Sequence, residues 1–210
     1  MIPTKICGIT NLDDANVAVE NGASAIGFIF YEKSPRTISI NNAKSISKHL
    51  PKTIARVGVF VNHEKDFINE AISEVPLDMI QLHGDETPDF CNQFDVAILK
   101  ALRIKNEASL SVMDQYDVAV FLLDTFSNDQ YGGTGETFDW SVLNRKFKTP
   151  IILSGGLNSE NILDAIDAVN PSAVDVNSGV ESSPGKKDFN KLKSLFKNLN
   201  KTQSTGFQFG

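Results

Sequence analysis

The chain has 210 residues, 41% of them hydrophobic and 22% charged, the profile of an ordinary soluble globular protein with enough length for a large core. A formal net charge of −6 excludes the broad basic field that draws nucleic acid or an anionic membrane surface, while small anionic ligands stay open. No apolar run approaches the roughly 18 residues that span a bilayer, no charged-then-apolar leader is present, and two cysteines make no disulfide framework. A cytoplasmic protein with Cys7 and Cys91 as free thiols is expected.

Taken in order, the sequence repeats one rhythm: a short apolar run, a loop, then an amphipathic stretch. Strands are predicted at residues 4–9, 25–30, 55–61, 79–83, 97–103, 118–124, 150–154 and 173–177. Helices are predicted at 12–21, 41–50, 63–75, 87–94, 107–115, 139–146, 159–169 and 188–199. Asn11 and Thr87 are N-cap residues, the latter followed by a proline at the first helical position; Ser159-Glu160 opens the seventh helix, and Gly22 ends the first. Eight units of about 25 residues point to an α/β fold of the (β/α)8 TIM-barrel kind, eight parallel strands ringed by helices. An open doubly wound sheet is the alternative, but its dinucleotide fingerprint is missing. With no linker interrupting the rhythm, one domain is expected over residues 1–199. The remaining tail, 200–210, is expected to be flexible unless Phe207 and Phe209 dock it.

In such a barrel, side chains alternate inward and outward, and sites form at the C-terminal ends of the strands. Polar residues at strand ends are therefore the informative ones. Cys7 ends the first strand, in Thr4-Lys5-Ile6-Cys7-Gly8-Ile9-Thr10. A thiol there can be a base or nucleophile near neutral pH, or a buried structural cysteine. Arg36, in the loop after the second strand, is either a solvated charge or a planar fork for a carboxylate. His83 ends the fourth strand and Asp124 the sixth. Strands one and six are three steps apart around a ring of eight, so Cys7 and Asp124 face each other across the mouth, as a base and an acid would. Gly155 and Gly156 follow strand seven, and Asn177, Ser178 and Gly179 follow strand eight. Loops at these two places commonly hold a phosphate with backbone N–H groups, which lets an acidic protein bind an anion. Tyr131-Gly132-Gly133-Thr134-Gly135, in the long loop 126–138, is either a closing segment or a plain connection.

Lys5, Gln81 and Asp175 lie two residues below Cys7, His83 and Asn177, in the same inward phase. They form an expected polar layer in which Lys5 pairs with Asp175, because an unpaired buried charge is costly. A Schiff-base role for Lys5 is the sharper alternative. The three histidines show no metal-ligand spacing, and His49 and His63 are expected at the surface.

Together and in this order, the strings K-I-C-G-I-T, F-Y-E-K-S-P-R, Q-L-H-G-D-E, L-L-D-T, G-G-T-G, L-S-G-G-L and D-V-N-S-G-V-E closely resemble the phosphoribosylanthranilate isomerase family of tryptophan biosynthesis. The resemblance covers residues 4–199. It implies a cofactor-independent Amadori rearrangement of N-(5-phosphoribosyl)anthranilate to 1-(2-carboxyphenylamino)-1-deoxyribulose 5-phosphate. By this likeness Asp124 is the general acid, Cys7 the general base, and Arg36 the contact to the anthranilate carboxylate. His83 shares the pocket, and the glycine loops, Gly133 among them, hold the phosphate. Asn177 departs from the family, where many members carry serine. Partners implied are a small phosphorylated substrate, no nucleic acid and no membrane, and a monomer is expected. The competing readings are another sugar-phosphate barrel enzyme, and a silent barrel that only binds a phosphorylated metabolite.

Overall fold

Strict alternation along short strands sorts the side chains of this protein into two sets. One set packs outward against helices and the other fills the inside of a ring. The computed structural model describes residues 1–125, 139–143 and 145–210. Strands β1 (Thr4–Ile6), β2 (Ala25–Ile29), β3 (Ala55–Phe60), β4 (Met79–Leu82), β5 (Ala97–Ile104), β6 (Val120–Thr125), β7 (Ile151–Leu153) and β8 (Ala173–Val176) form a closed barrel in that order. All pairs are parallel, and β8 returns to β1 with Lys5 opposite Asp175. The (β/α)8 barrel expected from the sequence is present.

Outward residues such as Ile6, Phe28, Ile80, Phe121, Leu153 and Val174 belong to the large core between barrel and helices. Helices α1 (Leu12–Asn21), α2 (Ile40–Ser47), α3 (Lys65–Glu74), α5 (Ile162–Val169) and α6 (Phe189–Leu199) cover the ring, with a single turn, α4 (Pro88–Cys91), between β4 and β5. Helix α6 buries Leu192, Leu195, Phe196 and Leu199, one stripe at helical spacing. Asn11 caps α1 by accepting from the Asp14 N–H at 2.9 Å, and Thr87 caps α4. Gly22 ends α1 in the left-handed region at φ 113°.

Several predicted helices differ. The segment 107–115 holds only two 3-10 turns, Glu107–Leu110 and Met113–Gln115, and after β6 the described residues show a third, Trp140–Leu143. Serines explain the first case: Ser109 Oγ accepts from the N–H groups of Lys105 and Asn106, and Ser111 Oγ donates to the Ala108 carbonyl. Such local bonds compete with a regular helix. The seventh helix starts at Ile162, not at Ser159-Glu160, because Asn158 and Asn161 first form a turn anchored on the Gly156 carbonyl. An unpredicted hairpin, β9 (Glu181–Ser183) with β10 (Lys186–Lys187), follows β8.

Inward residues stack in layers. At the N-terminal end lie Ala25, Ala55, Met79, Leu99, Val120, Ile152 and Ala173, and Phe209 packs into this cluster with Phe207 against it. The two rings meet edge to face, with centroids 5.1 Å apart. The tail is thus docked by its phenylalanines across the bottom of the barrel. Thr205 Oγ1 fastens it further to the Ser172 carbonyl at 2.6 Å. His63 is half-buried rather than on the surface: it stacks on Phe67 at 4.9 Å, and its Nδ1 accepts from the Val61 N–H, whereas His49 is exposed.

Candidate active site

Above the apolar bottom layer the inward side chains become polar. Lys5 Nζ lies 2.8 Å from Asp175 Oδ1, both groups buried, so the ion pair expected from strand phase is in place. Asp175 Oδ2 also receives the Ser154 hydroxyl, at 3.4 Å. Gln81, the third member of the layer, does not join this pair. Its Nε2–H donates to His83 Nδ1 at 2.7 Å, which places the imidazole N–H on Nε2.

One layer higher, Cys7, His83, Asp124 and Asn177 line a single cavity together with Arg36, Ser154 and Tyr31. Cys7 and Asp124 therefore open onto the same space. Asp124 is buried; its Oδ1 accepts from the Thr125 N–H at 2.9 Å, and its Oδ2 lies 3.3 Å from His83 Nε2. That last contact has ion-pair distance without hydrogen-bond alignment. Among the described residues, His83 Nε2 and Gln81 Oε1 are buried without a hydrogen-bond partner. Buried polar atoms are rarely left so, and both line the cavity, where a ligand would satisfy them.

Cys7 and Lys5 crowd the same spot on β2. A Cβ at Gly27 would meet the Cys7 sulfur at 2.8 Å and Lys5 Cε at 3.0 Å, so only glycine leaves room for both. Burial pushes the Cys7 thiol up from its ordinary value, and the positive charge of Lys5, helped by Lys187, pulls back only part of that rise. For Lys5, burial works against the charge, but Asp175 and the Cys7 sulfur outweigh it and the pKa is raised. Cys91, by contrast, lies in the outer core and is pushed up to about 11 by burial.

Arg36 is not solvated. Its Nε is 3.0 Å from both carboxylate oxygens of Glu181 and its Nη2 is 2.8 Å from Oε2, a pairing buried on both sides. Glu181 Oε1 also accepts from Lys187 Nζ at 3.0 Å, and Lys187 reaches Asn177 Oδ1 at the same distance. Sequence reasoning missed Glu181 and Lys187 as site residues. The available signal was Ser183-Pro184-Gly185-Lys186, a tight-turn string that brings both side chains back over β8.

The expected anion loops lie side by side. Gly155 (φ 91°) has backbone that only glycine adopts at ease, and a Cβ there would also meet the Thr125 N at 2.7 Å and Asp124 Oδ1 at 3.0 Å. Among the described residues, the N–H groups of Gly155 and Gly156 donate to no acceptor. They do not open a helix, since α5 begins six residues later, so any anion here meets loop amides rather than a helix end. Ser178 and Gly179 start a 3-10 turn, Ser178–Val180, packed against Leu157 and Asn158. Gly133 and the rest of loop 126–138 lie outside the described residues. No group of His, Cys, Asp and Glu suited to a metal occurs among the described residues.

Comparison with known proteins points to one family. The family model for N-(5'-phosphoribosyl)anthranilate (PRA) isomerase matches residues 4–198. An N-(5'-phosphoribosyl)anthranilate isomerase from Pelobacter propionicus is 46% identical over 205 residues, 97% of this chain and 98% of the relative. The crystal structure of phosphoribosyl anthranilate isomerase from Thermotoga maritima superposes with a TM-score of 0.89 at 44% identity, covering 96% of this chain and all of that one. A phosphoribosyl anthranilate isomerase solved in complex with reduced 1-(o-carboxyphenylamino)-1-deoxyribulose 5-phosphate has a TM-score of 0.84 at 43% identity, over 96% of this chain and 100% of its own. With this breadth of match across the whole barrel, the chain belongs to the N-(5'-phosphoribosyl)anthranilate isomerase family.

Proposed function

We propose that this protein converts N-(5-phosphoribosyl)anthranilate to 1-(2-carboxyphenylamino)-1-deoxyribulose 5-phosphate in tryptophan biosynthesis, with Asp124 as general acid and Cys7 as general base. The observation that carries the assignment is the opening of Cys7 and Asp124 onto one cavity from strands three steps apart. Arg36 brings a guanidinium to that cavity, and Gly155 and Gly156, beside Asp124, carry amides that no described residue uses, groups suited to a carboxylate and a phosphate.

The proton accounting fits these positions. Asp124 gives a proton to the furanose ring oxygen as the C1'–O bond breaks, leaving an iminium on the anthranilate nitrogen. Because Thr125 occupies Oδ1, Oδ2 is the oxygen free to carry that proton. The carboxylate left behind then faces His83 Nε2–H. The Cys7 thiolate takes the proton from C2', giving an enolamine, which becomes the ketone as its hydroxyl proton leaves and C1' is protonated. Burial raises the Cys7 pKa, so its thiolate is scarce at neutral pH but strongly basic when formed. The charges of Lys5 and, more weakly, Lys187 favour the anion.

Purified protein tested for loss of the anthranilate fluorescence of the substrate decides the matter. Asp124→Asn and Cys7→Ala should each lower turnover by at least about 100-fold, the scale of acid–base catalysis. Circular dichroism should show the fold intact in both. Near-normal turnover in either variant overturns the role assigned to that residue.

A further inference from the structure

Arg36 arrives at the cavity already spoken for on one edge. A guanidinium carries five N–H donors in a plane. The Nε–H and one Nη2–H point at Glu181, and no residue among those described accepts from Nη1. The outer edge, with donors from Nη1 and Nη2 side by side, is thus the one left for the cavity that Arg36 lines. Glu181 is itself fixed: Lys187 Nζ binds Oε1 at 3.0 Å, the Gly185 N–H approaches it at 3.2 Å, and its side chain is 4% exposed. One carboxylate between two cations leaves a local surplus of positive charge. That surplus lies where a chain of net charge −6 would otherwise repel an anion.

We propose that Glu181 is a positioning residue: its bidentate bond aims the outer edge of Arg36 at the ring carboxylate of the substrate. The proposal rests on the reading of Arg36 as the carboxylate contact given above. An arginine held in this way loses little rotamer freedom when ligand arrives, whereas an untethered one must be ordered from many conformers. Glu181 meets no substrate atom; it acts through Arg36. Burial on its own would raise its pKa, but the Arg36 hydrogen bonds and the Lys187 charge outweigh this and keep it ionised.

The test compares two ligands by calorimetry: 1-(2-carboxyphenylamino)-1-deoxyribitol 5-phosphate, and its phenylamino counterpart without the carboxylate. Glu181→Gln should weaken the first by about 10- to 100-fold, the scale of a lost charge-assisted hydrogen bond, and the second by less than about threefold. Arg36→Ala should show the same selectivity, and the double variant should bind no worse than Arg36→Ala alone. In steady-state assays Glu181→Gln should raise KM far more than it lowers kcat. If Arg36→Ala is selective while Glu181→Gln weakens both ligands equally or neither, the positioning role is wrong and the carboxylate contact stands. If Arg36→Ala shows no selectivity, the carboxylate contact itself falls, and the inference with it. Should Glu181→Gln not fold, Glu181→Asp, which keeps the charge but withdraws it by one methylene, must show the same selective loss or the proposal fails.

Discussion

Replacing Asp175 by asparagine isolates the energetic cost of the layer beneath the cavity. Lys5 is wholly buried and its ammonium is 2.8 Å from Asp175 Oδ1. Removing the carboxylate leaves a cation without its counter-charge in a closed interior. Losing one partner of a buried pair costs about 3–5 kcal/mol. For a protein of this size each kcal/mol shifts Tm by about 2–4 °C, so Asp175→Asn should melt about 6–20 °C below the parent. Lys5→Met combined with Asp175→Leu removes both charges and replaces them with apolar volume, and should recover at least about 2 kcal/mol of that loss. Urea unfolding gives both differences by linear extrapolation. The sign with pH is fixed by the raised folded pKa of Lys5. The stability it contributes is fully present below the unfolded value of 10.5 and fades as pH rises through the higher folded value. An Asp175→Asn variant within about 1 kcal/mol of the parent, the scale of a typical substitution, would refute the buried pair as an energetic feature.

The thiols and the tail give two further tests. Because burial raises the pKa of both Cys7 and Cys91, native protein at pH 7 should react with iodoacetamide far more slowly than urea-unfolded protein, and the rate should climb with alkali. Removing residues 206–210 takes Phe209 out of the barrel bottom and should cost about 2–3 kcal/mol with kcat/KM unchanged, since the cavity is at the opposite end. An unaltered Tm would show that the docked tail contributes nothing.

Much of this fold was legible because its signals are local and repeated. The inward phase of Lys5–Cys7, Gln81–His83 and Asp175–Asn177 is a period-two property of each strand alone, and ring closure follows from the count of strands. What escaped was interaction at long range or competition within a turn. Glu181 reaches Arg36 across 145 positions, and nothing near either residue announces the other. The serines at 109 and 111 look unremarkable in an amphipathic window, yet their hydroxyls take the backbone groups a helix would need. Arg36 shows both sides: its type and loop placed it at the mouth, but only coordinates reveal which edge of its fork is free.

Closing the ring joins the earliest strand to the latest. The Cys7 N–H binds the Val176 carbonyl at 3.0 Å, and the Lys5–Asp175 contact spans 170 positions. A nascent or clipped barrel that lacks its last strand therefore lacks the floor under the thiol as well as Asn177. Chemistry and completeness are coupled in this architecture, and intermediates on the way to the native state should be silent toward substrate while offering a sulfur that reagents can reach. Thiol accessibility thereby becomes a clock for the final stitch of folding.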